Sequence, residues 1–268
     1  MNITNTIHAL QHVLRELKKV TVAVSGGVDS MTLAYVAHIT LGQDAKMVHA
    51  TSSAVPSADT QRIQNYAQKQ GWQLELVQAG EMEKTAYREN PVDRCYHCKS
   101  SLYTTLNSLQ FGQVVSGTNL DDLSDYRPGL IAAKENQIRH PFVEANIDKE
   151  TIRAIARHYG LDDISDLPAS PCLASRVETG VYIHPQQLDL INRVETNVRQ
   201  QISAENVRCR ILAQRLVLQI DETELNSLHK SLIDSIISDT KAMAEDVGLS
   251  LPVDIAPYQR GSAFVRVA

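Results

Sequence analysis

Short apolar runs alternate with amphipathic stretches along the first half of the chain. Apolar residues recur at helical spacing from Thr6 to Leu17, and a β-branched run follows at Val20–Val24. The alternation continues in predicted helices at 31–41 and 58–70 and predicted strands at 46–51, 72–78 and 113–116. Strands separated by helices are typical of βαβ units, so the pattern predicts an α/β fold with a doubly wound parallel sheet.

The pattern changes in the second half of the chain. Asp148 is a predicted N-cap of a helix that ends near Tyr159, and residues 162–171 are predicted to form a loop. Beyond them we expect helices at 185–202 and 222–247, the latter broken near Ser231, and strands at 207–212, 216–220, 253–256 and 263–267, with the first two strands antiparallel. These elements predict a smaller C-terminal α+β domain at residues 172–268, after a first domain at residues 1–171.

Composition and charge limit the classes of partner. The chain of 268 residues has 31 acidic and 26 basic side chains and a net charge of −5, a sign that does not attract nucleic acid. No apolar run approaches the roughly 18 residues that span a bilayer, and the first residues lack the apolar stretch of a signal peptide. We therefore expect a cytoplasmic protein that binds neither membranes nor nucleic acid.

One glycine-rich segment, Ser25-Gly-Gly-Val-Asp-Ser30, lies between the first predicted strand and the helix that follows it. Glycines there allow backbone amides to face an anion, and a helix N-terminus adds unsatisfied N–H groups. The segment lacks the Gly-Lys-Ser/Thr ending of a Walker motif and the spacing of G-x-G-x-x-G. We call residues 25–30 the SGGVDS loop; a tight glycine turn without a ligand is the alternative interpretation.

The SGGVDS loop resembles the pyrophosphate loop of the ATP pyrophosphatase (PP-loop) superfamily, whose members cleave ATP between the α and β phosphates. The resemblance implies that the pyrophosphate group is held by Ser25, Gly26, Gly27, Asp29 and Ser30. It also implies that Mg²⁺ is required and that Asp29 is catalytic. Amide dipoles and Mg²⁺ would stabilise the charge that develops on the departing pyrophosphate.

A second polar segment, Gly117–Gly129, follows the last strand predicted for the sheet. Its composition alone is equally typical of a solvated turn. The sequence Gly-Thr-Asn-x-Asp-Asp…Asp-Tyr-Arg-Pro-Gly resembles a segment of the LarE family, ATP-dependent sacrificial sulfur transferases that act in nickel-pincer nucleotide cofactor biosynthesis. The resemblance implies that Gly117 contacts the nucleotide, that Asp125 binds Mg²⁺ or ribose and that Arg127 binds phosphate.

The chain has four cysteines, too few for a disulfide scaffold and suggestive of a metal or redox site. Cys95-Tyr-His-Cys98 is a C-x-x-C motif, and Cys172 lies in Pro-Cys-Leu-Ala-Ser-Arg. Zinc, a dithiol redox pair and an iron–sulfur cluster are the three interpretations of these cysteines. Cys209 lies outside both motifs, where we expect a partly buried small hydrophobic residue.

The LarE resemblance favours the cluster. Family members with three cysteines are understood to hold a [4Fe-4S] cluster, whereas members with one give up its sulfur from the position of Cys172. The resemblance therefore implies that Cys95, Cys98 and Cys172 bind a [4Fe-4S] cluster here, with Cys172 as a ligand that is not consumed. It also implies catalytic roles for Ser175 and Arg176, which follow Cys172 closely.

Arg208 and Arg210 alternate on a predicted strand and are expected to share one face. Two neighbouring guanidiniums suit a phosphate, although an exposed, salt-bridged face is the alternative. The resemblance assigns these arginines and Glu195 to the phosphate of a pyridinium mononucleotide substrate.

The resemblance implies one reaction for the whole chain. An ATP-dependent sulfurtransferase would adenylylate a carboxylate of the pyridinium mononucleotide and convert it to a thiocarboxylate, with sulfide or another sulfur donor as the second partner. A homo-oligomer is expected, because the family tends to assemble. A tRNA thiolase of the same superfamily and a nucleotide-binding protein without enzymatic activity are the alternatives.

Overall fold

The computed structural model describes residues 2–124 and 127–263. Its strands are β1 (Val20–Ala23), β2 (Ala45–Ala50), β3 (Gln73–Val77), β4 (Gln113–Val115), β5 (Val207–Ile211), β6 (Leu216–Ile220) and β7 (Val253–Pro257). Its α-helices are α1 (Ile3–Leu17), α2 (Val28–Leu41), α3 (Ser57–Gln70), α4 (Thr85–Arg88), α5 (Arg94–Ser108), α6 (Pro128–Glu135), α7 (Pro141–Glu144), α8 (Lys149–His158), α9 (Asp162–Ser165), α10 (Pro185–Gln201), α11 (Glu222–Ser227) and α12 (Lys230–Asp246). Short 3-10 turns lie at Gly42–Asp44, Glu81–Glu83, Leu120–Leu123 and Leu173–Arg176.

The chain divides into two compact units. The first unit consists of Met1–Ser52, Ser57–Glu81 and Cys95–Ser170. The second unit consists of Ser53–Pro56, Met82–Arg94 and Pro171–Ala268. Two short N-terminal segments thus belong with the C-terminal third of the chain, whereas the sequence predicted two continuous domains.

The first unit contains a four-stranded, all-parallel sheet in the order β3-β2-β1-β4. Because β2 and β4 lie on opposite sides of β1, the direction of winding reverses between β1 and β4. Ligands of open α/β sheets bind at the carboxyl ends of the strands next to such a reversal. The segments that leave β1 and β4 at this edge are the SGGVDS loop and Ser116–Gly117.

Apolar side chains cover both faces of this sheet, because successive residues of a strand point to opposite sides. Met47 and Val115 belong to a core that includes α1, α2 and α8, whereas Val48 and Val114 pack with Tyr103 of α5 in a second core. The α/β class and the parallel sheet predicted from the sequence are confirmed, and helices on both faces are typical of a doubly wound fold.

The second unit contains a three-stranded sheet in the order β5-β6-β7. Strands β5 and β6 are antiparallel, as predicted, whereas β6 and β7 are parallel. Helix α10 packs on β5 and helix α12 on β7. The predicted break near Ser231 corresponds to the junction of α11 and α12.

Asn90 ties the segment 82–94 into the second unit. It is fully buried and adopts a positive φ of 55°. Its amide nitrogen Nδ2 lies within hydrogen-bonding distance of the carbonyl oxygens of Val177, Glu178 and Val181, and its own carbonyl accepts a bond from the backbone of Gly180. This side chain therefore organises the turn that follows the Cys172 segment.

The structure differs from two local predictions. The predicted loop at 162–171 begins with the short helix α9. Of the predicted strand at 263–267, Ala263 lies in a turn and the other residues lie outside the described part of the chain. No helix within residues 2–124 and 127–263 combines the length and apolar character needed to cross a membrane.

Candidate functional site

The SGGVDS loop connects β1 to α2 and includes the first turn of that helix. Ser30 closes it, because the hydroxyl Oγ accepts a bond from the backbone N–H of Ser25 at 3.0 Å and donates to the carbonyl of Gly27 at 3.1 Å. Gly27 is the N-cap residue and has no side chain to accept from the first N–H groups of α2. The loop thus offers a helix N-terminus whose amides remain available to an anion.

Helix α3 supports the loop from one side. Gly26 has a φ of +87°, and a Cβ atom there would lie 2.8 Å from the Cβ of Asp59. Arg62 donates to the carbonyl of Gly26 at 3.0 Å and to the carboxylate of Asp59 at 2.6 Å, and Ser170 donates to the other oxygen of that carboxylate. Because the carbonyl of Gly26 is held by Arg62, the orientation of the loop backbone is fixed.

Gly117 packs against the loop from the neighbouring strand. A Cβ atom at Gly117 would lie 2.9 Å from the backbone nitrogen of Ser30 and 3.0 Å from the carbonyl carbon of Asp29. The backbone that approaches Gly117 so closely is therefore the chain's own. The structure brings the SGGVDS loop and the start of the second polar segment together.

Asp29 carries the negative charge of the loop. Its Oδ2 atom lies 2.5 Å from Nζ of Lys149, the first residue of α8, whereas Oδ1 is buried and has no hydrogen-bond partner among the described residues. Burial raises the pKa of Asp29 above its ordinary 3.8, and the hydrogen bond from Lys149 opposes part of that shift. Mg²⁺ in nucleotide sites binds one or two carboxylates together with phosphate oxygens, so the unpartnered Oδ1 fits a magnesium ligand.

The second polar segment is braced by its own aspartates. Asp121 accepts a bond from the backbone N–H of Lys149 at 3.0 Å, and Asp122 forms an ion pair of 2.7 Å with the exposed Arg127. Asn119 caps the 3-10 turn by accepting from the N–H of Asp121. The side chain of Arg127 thus pairs with another residue of the same segment. Asp125 lies outside the described residues.

Cys95 and Cys98 lie in the first turns of α5, three residues apart and hence on one face of the helix. Cys95 is exposed and Cys98 is half-buried. Gly129 at the end of the second polar segment packs against this helix, because a Cβ atom there would lie 3.1 Å from Cγ of Lys99. The second polar segment therefore contacts the SGGVDS loop through Gly117 and the C-x-x-C helix through Gly129.

In the second unit, Cys172 is exposed at the start of a 3-10 turn. The buried Arg176 makes five hydrogen bonds: two to Glu195, two to the carbonyls of Pro171 and Cys172, and one to the hydroxyl of Ser175. Its Nη1 atom bonds to the Cys172 segment, whereas Nε and Nη2 bond to Glu195. Arg176 therefore holds the backbone that presents Cys172.

Glu195 of α10 lies below β5 and is 2% exposed. Its carboxylate accepts from Arg176 at 2.9 and 3.1 Å, from Arg199 at 3.1 Å and from the backbone N–H of Cys209 at 3.1 Å. Four such bonds satisfy a buried carboxylate, so Glu195 acts on the Cys172 segment through Arg176.

Arg208 and Arg210 are 6% and 5% exposed, so the alternative of an exposed face is wrong. Arg210 donates to three neutral acceptors, the side-chain oxygen of Gln219 at 2.6 Å and the carbonyls of Ser175 and Gln259. Burial, and then the charge of Arg176, lower the pKa of both Arg208 and Arg210. Arg210 thus places a buried positive charge among neutral acceptors in the second unit, which favours an anion.

Cys209 points away from this chemistry. It is fully buried, and burial raises the pKa of its thiol, so it stays protonated. The sequence predicted a partly buried hydrophobic residue, and the structure buries it completely. Within either unit, the described residues contain no group of three or more His, Cys, Asp or Glu side chains arranged for a metal ion.

Three residues that contact the SGGVDS loop belong to none of the sequence motifs: Asp59, Arg62 and Lys149. Asp59 and Arg62 lie within an ordinary amphipathic helix, where nothing local indicates a contact with a loop. Lys149 follows the predicted N-cap Asp148, which located the helix start but not the loop that it faces. The SGGVDS loop contains a carboxylate but no basic residue, and this is the one sequence feature that indicates a basic partner from elsewhere in the chain.

Comparison with known proteins gives the family. An uncharacterized protein of Synechocystis sp., slr1717, is 40% identical over 202 residues, which are 74% of this chain and 75% of that protein. The pyridinium-3,5-bisthiocarboxylic acid mononucleotide synthase of Lactiplantibacillus plantarum, a LarE protein, is 28% identical over 191 residues, 69% of each chain. The 40% identity shows that the chain belongs to one family with slr1717, and its similarity to the Lactiplantibacillus plantarum synthase supports the LarE family.

A further relative is the uncharacterized protein MJ0830 of Methanocaldococcus jannaschii, 28% identical over 210 residues. These residues are 76% of this chain and 79% of that protein. No known family profile matches the chain.

Proposed function

We propose that this LarE-family protein is an ATP-dependent sulfur transferase of nickel-pincer nucleotide cofactor biosynthesis. Its substrate is a pyridinium mononucleotide, one carboxylate of which becomes a thiocarboxylate. One observation carries the proposal: the SGGVDS loop presents a helix N-terminus beside a buried, unpartnered oxygen of Asp29. A site for an anion thus adjoins a site for a cation, which suits magnesium–ATP.

The loop has a direct role in the first step. The substrate carboxylate forms a bond to the α-phosphorus of ATP, the α–β phosphoanhydride bond breaks, and pyrophosphate leaves. Backbone amides of Gly26 and Gly27 are positioned to stabilise the charge on pyrophosphate, and they need no reorganisation because Arg62 fixes the loop. Asp29 would hold Mg²⁺ through Oδ1.

The second step replaces oxygen by sulfur. Adenylylation makes the carboxylate oxygen part of a good leaving group, so a sulfide nucleophile displaces AMP and the carbonyl carbon keeps sulfur. When bound, a [4Fe-4S] cluster with three protein thiolates leaves one iron open for such a sulfide.

The donor set fits this group. Cys95 and Cys172 are exposed and Cys98 is half-buried, whereas the fourth cysteine, Cys209, is fully buried. Helix N-termini favour thiolates, which suits the position of Cys95 and Cys98 at the start of α5. We assign Cys95, Cys98 and Cys172 as the cluster ligands, with Arg176 positioning the backbone of Cys172.

Arg208 and Arg210 are the proposed site for the phosphate of the mononucleotide. Guanidiniums bind phosphate in a bidentate manner, and the acceptors that the described residues give Arg210 are neutral, so a phosphate would add the negative charge that they lack. Glu195 contributes through Arg176 and does not touch the substrate.

The deciding experiment supplies anaerobically reconstituted protein with magnesium–ATP, sulfide and a pyridinium dicarboxylate mononucleotide. We expect pyrophosphate release and a product in which sulfur has replaced one carboxylate oxygen, detected by mass spectrometry. Transfer RNA in place of the mononucleotide should give neither. Asp29→Asn should abolish pyrophosphate release, and Cys209→Ala is the control cysteine variant that should retain full activity.

Three outcomes would count against the proposal. Pyrophosphate release with tRNA alone would identify a tRNA thiolase. Binding of ATP without cleavage in the presence of every co-substrate would indicate a nucleotide-binding protein. Loss of sulfur from Cys172 after one turnover, without bound iron, would show that this cysteine is consumed.

A further inference from the structure

The SGGVDS loop lacks a feature common to other phosphate-binding loops. A Walker motif carries a lysine that reaches the β and γ phosphates, and no lysine or arginine occurs within residues 25–30. In the fold, Lys149 approaches the loop from a position 120 residues later in the chain. Its ammonium group lies 2.5 Å from Oδ2 of Asp29.

The backbone of Lys149 is fixed while its side chain remains adjustable. Asp148 caps α8 by accepting from the N–H of Thr151 at 2.8 Å, and Asp121 accepts from the N–H of Lys149 itself. The side chain is 37% exposed, and of the three N–H donors on its ammonium group the described residues satisfy one. Lys149 therefore starts from a defined point and has donors to spare for a ligand.

The other cations beside the loop are committed to the protein backbone. Arg62 bonds to the carbonyl of Gly26, and Arg153, one turn after Lys149, bonds to the carbonyls of Ser165 and Leu167. Moving either guanidinium toward a ligand would leave these carbonyls unpaired. Lys149 can move without that cost, because its partner Asp29 can take Mg²⁺ instead.

We propose that Lys149 supplies the missing lysine of the SGGVDS loop: it binds the phosphates of the nucleotide, and in the nucleotide-free protein its ammonium group neutralises Asp29 through Oδ2. This inference rests on the proposed function. Magnesium and nucleotide then assist each other, because phosphate draws Lys149 away from Oδ2 and the carboxylate, no longer neutralised, attracts Mg²⁺ to Oδ1 more strongly. Either ligand alone has to compete with the Lys149–Asp29 ion pair.

The test measures binding by titration calorimetry with three probes: pyrophosphate without magnesium, magnesium alone and magnesium–ATP. The variant is Lys149→Met, which keeps the length of the side chain and removes its charge. Lys149→Arg is the conservative variant. Lys46→Met is the matched control, because Lys46 also pairs with a carboxylate, Glu75, at 3.0 Å. Lys46 lies near the amino end of β2, whereas the SGGVDS loop lies at the carboxyl ends of the strands. Circular dichroism checks that each variant is folded.

We expect Lys149→Met to weaken pyrophosphate binding about 10- to 100-fold, the effect of losing one bond between a charged donor and a charged acceptor. The same variant should bind magnesium alone about two- to fivefold more tightly, because Asp29 loses its competitor. The pyrophosphate affinity of Lys149→Arg should stay within about threefold of that of the unaltered protein. Lys46→Met should have the same affinity as the unaltered protein for every probe.

Unchanged pyrophosphate affinity in Lys149→Met, with tighter magnesium binding, would overturn the inference and leave Lys149 as a counter-ion of Asp29; the proposed function would survive. If the unaltered protein binds neither pyrophosphate nor magnesium–ATP, the proposed function itself fails. The two failures are therefore distinguishable.

Discussion

Replacing Gly26 with alanine tests how the SGGVDS loop is supported. Gly26 has a φ of +87°, where a side chain is strained, and its added Cβ would lie 2.8 Å from Cβ and 3.1 Å from Cα of Asp59. Neither of these atoms belongs to a flexible side-chain end. Relief of the contact requires the loop or helix α3 to move.

The cost has two sources. An L-residue at a left-handed φ costs roughly 1–2 kcal/mol. Displacing Asp59 weakens its bonds from Arg62 and Ser170, and a hydrogen bond to a charged group is worth roughly 1.5–3 kcal/mol. We expect Gly26→Ala to lower the free energy of unfolding by about 2.5–5 kcal/mol.

Urea unfolding followed by tryptophan fluorescence measures this change. Trp72 is the single tryptophan of the chain, is 6% exposed and lies in the first unit, so its emission reports that unit. Gly160→Ala is the strain control, because Gly160 has a φ of +68° and open space around it; we expect a loss of about 1–2 kcal/mol. Gly27→Ala meets no atom closer than 3.8 Å and should cost about 1 kcal/mol or less.

One result would refute the reasoning. If Gly26→Ala and Gly160→Ala lose the same free energy within about 0.5 kcal/mol, the contact with Asp59 has no energetic role and backbone strain alone explains the glycine. A larger loss in Gly26→Ala should be accompanied by weaker pyrophosphate binding, since the amides of the loop move with its backbone.

Three further predictions concern other groups. Burial lowers the pKa of His49 below its ordinary 6.5, so the unfolded chain binds a proton at a higher pH than the folded protein does. The urea midpoint should therefore fall as the pH drops from about 7 to about 5, and His49→Gln should reduce this dependence of the midpoint on pH. An equally strong pH dependence in His49→Gln would contradict the prediction. Arg210→Gln should weaken binding of the mononucleotide about 10- to 100-fold by calorimetry and leave ATP affinity unchanged; equal losses for both ligands would contradict a separate phosphate site. Cys98→Ala should abolish the visible absorption of anaerobically reconstituted protein, whereas Cys209→Ala should retain it; colour in Cys98→Ala would exclude Cys98 as a ligand.

Strands β1, β2 and β4 were predictable because each contains neighbouring apolar residues, whereas β3 was predictable from the alternation of Leu74 and Leu76 with polar residues. Helix α5 was not, because its first half is largely polar and its apolar residues at helical spacing, Leu102, Tyr103 and Leu106, lie only in its second half. Its conformation depends on tertiary packing, in which Tyr103 and Leu106 enter a core shared with Val48 and Val114.

The candidate site divides in the same way. The SGGVDS loop and Gly117 are recognisable because glycine is required where backbones approach closely. The buried state of Arg210 could not be predicted, because its acceptors, the side chain of Gln219 and the carbonyls of Ser175 and Gln259, come from segments far apart in the chain. The contact of Lys149 with Asp29 could not be predicted for the same reason, because residues 120 positions apart leave no local sequence pattern that indicates their contact.

The position of Asn90 has a consequence for how such proteins can be cut, fused or recombined. A polypeptide that starts at residue 172 lacks the amide that bonds to the carbonyls of Val177, Glu178 and Val181, and those oxygens would be left without this partner. The C-terminal third therefore cannot be exchanged between relatives by a single crossover. Chimeras between relatives need to exchange residues 82–94 together with 171–268, and shuffling at a single junction should give insoluble products.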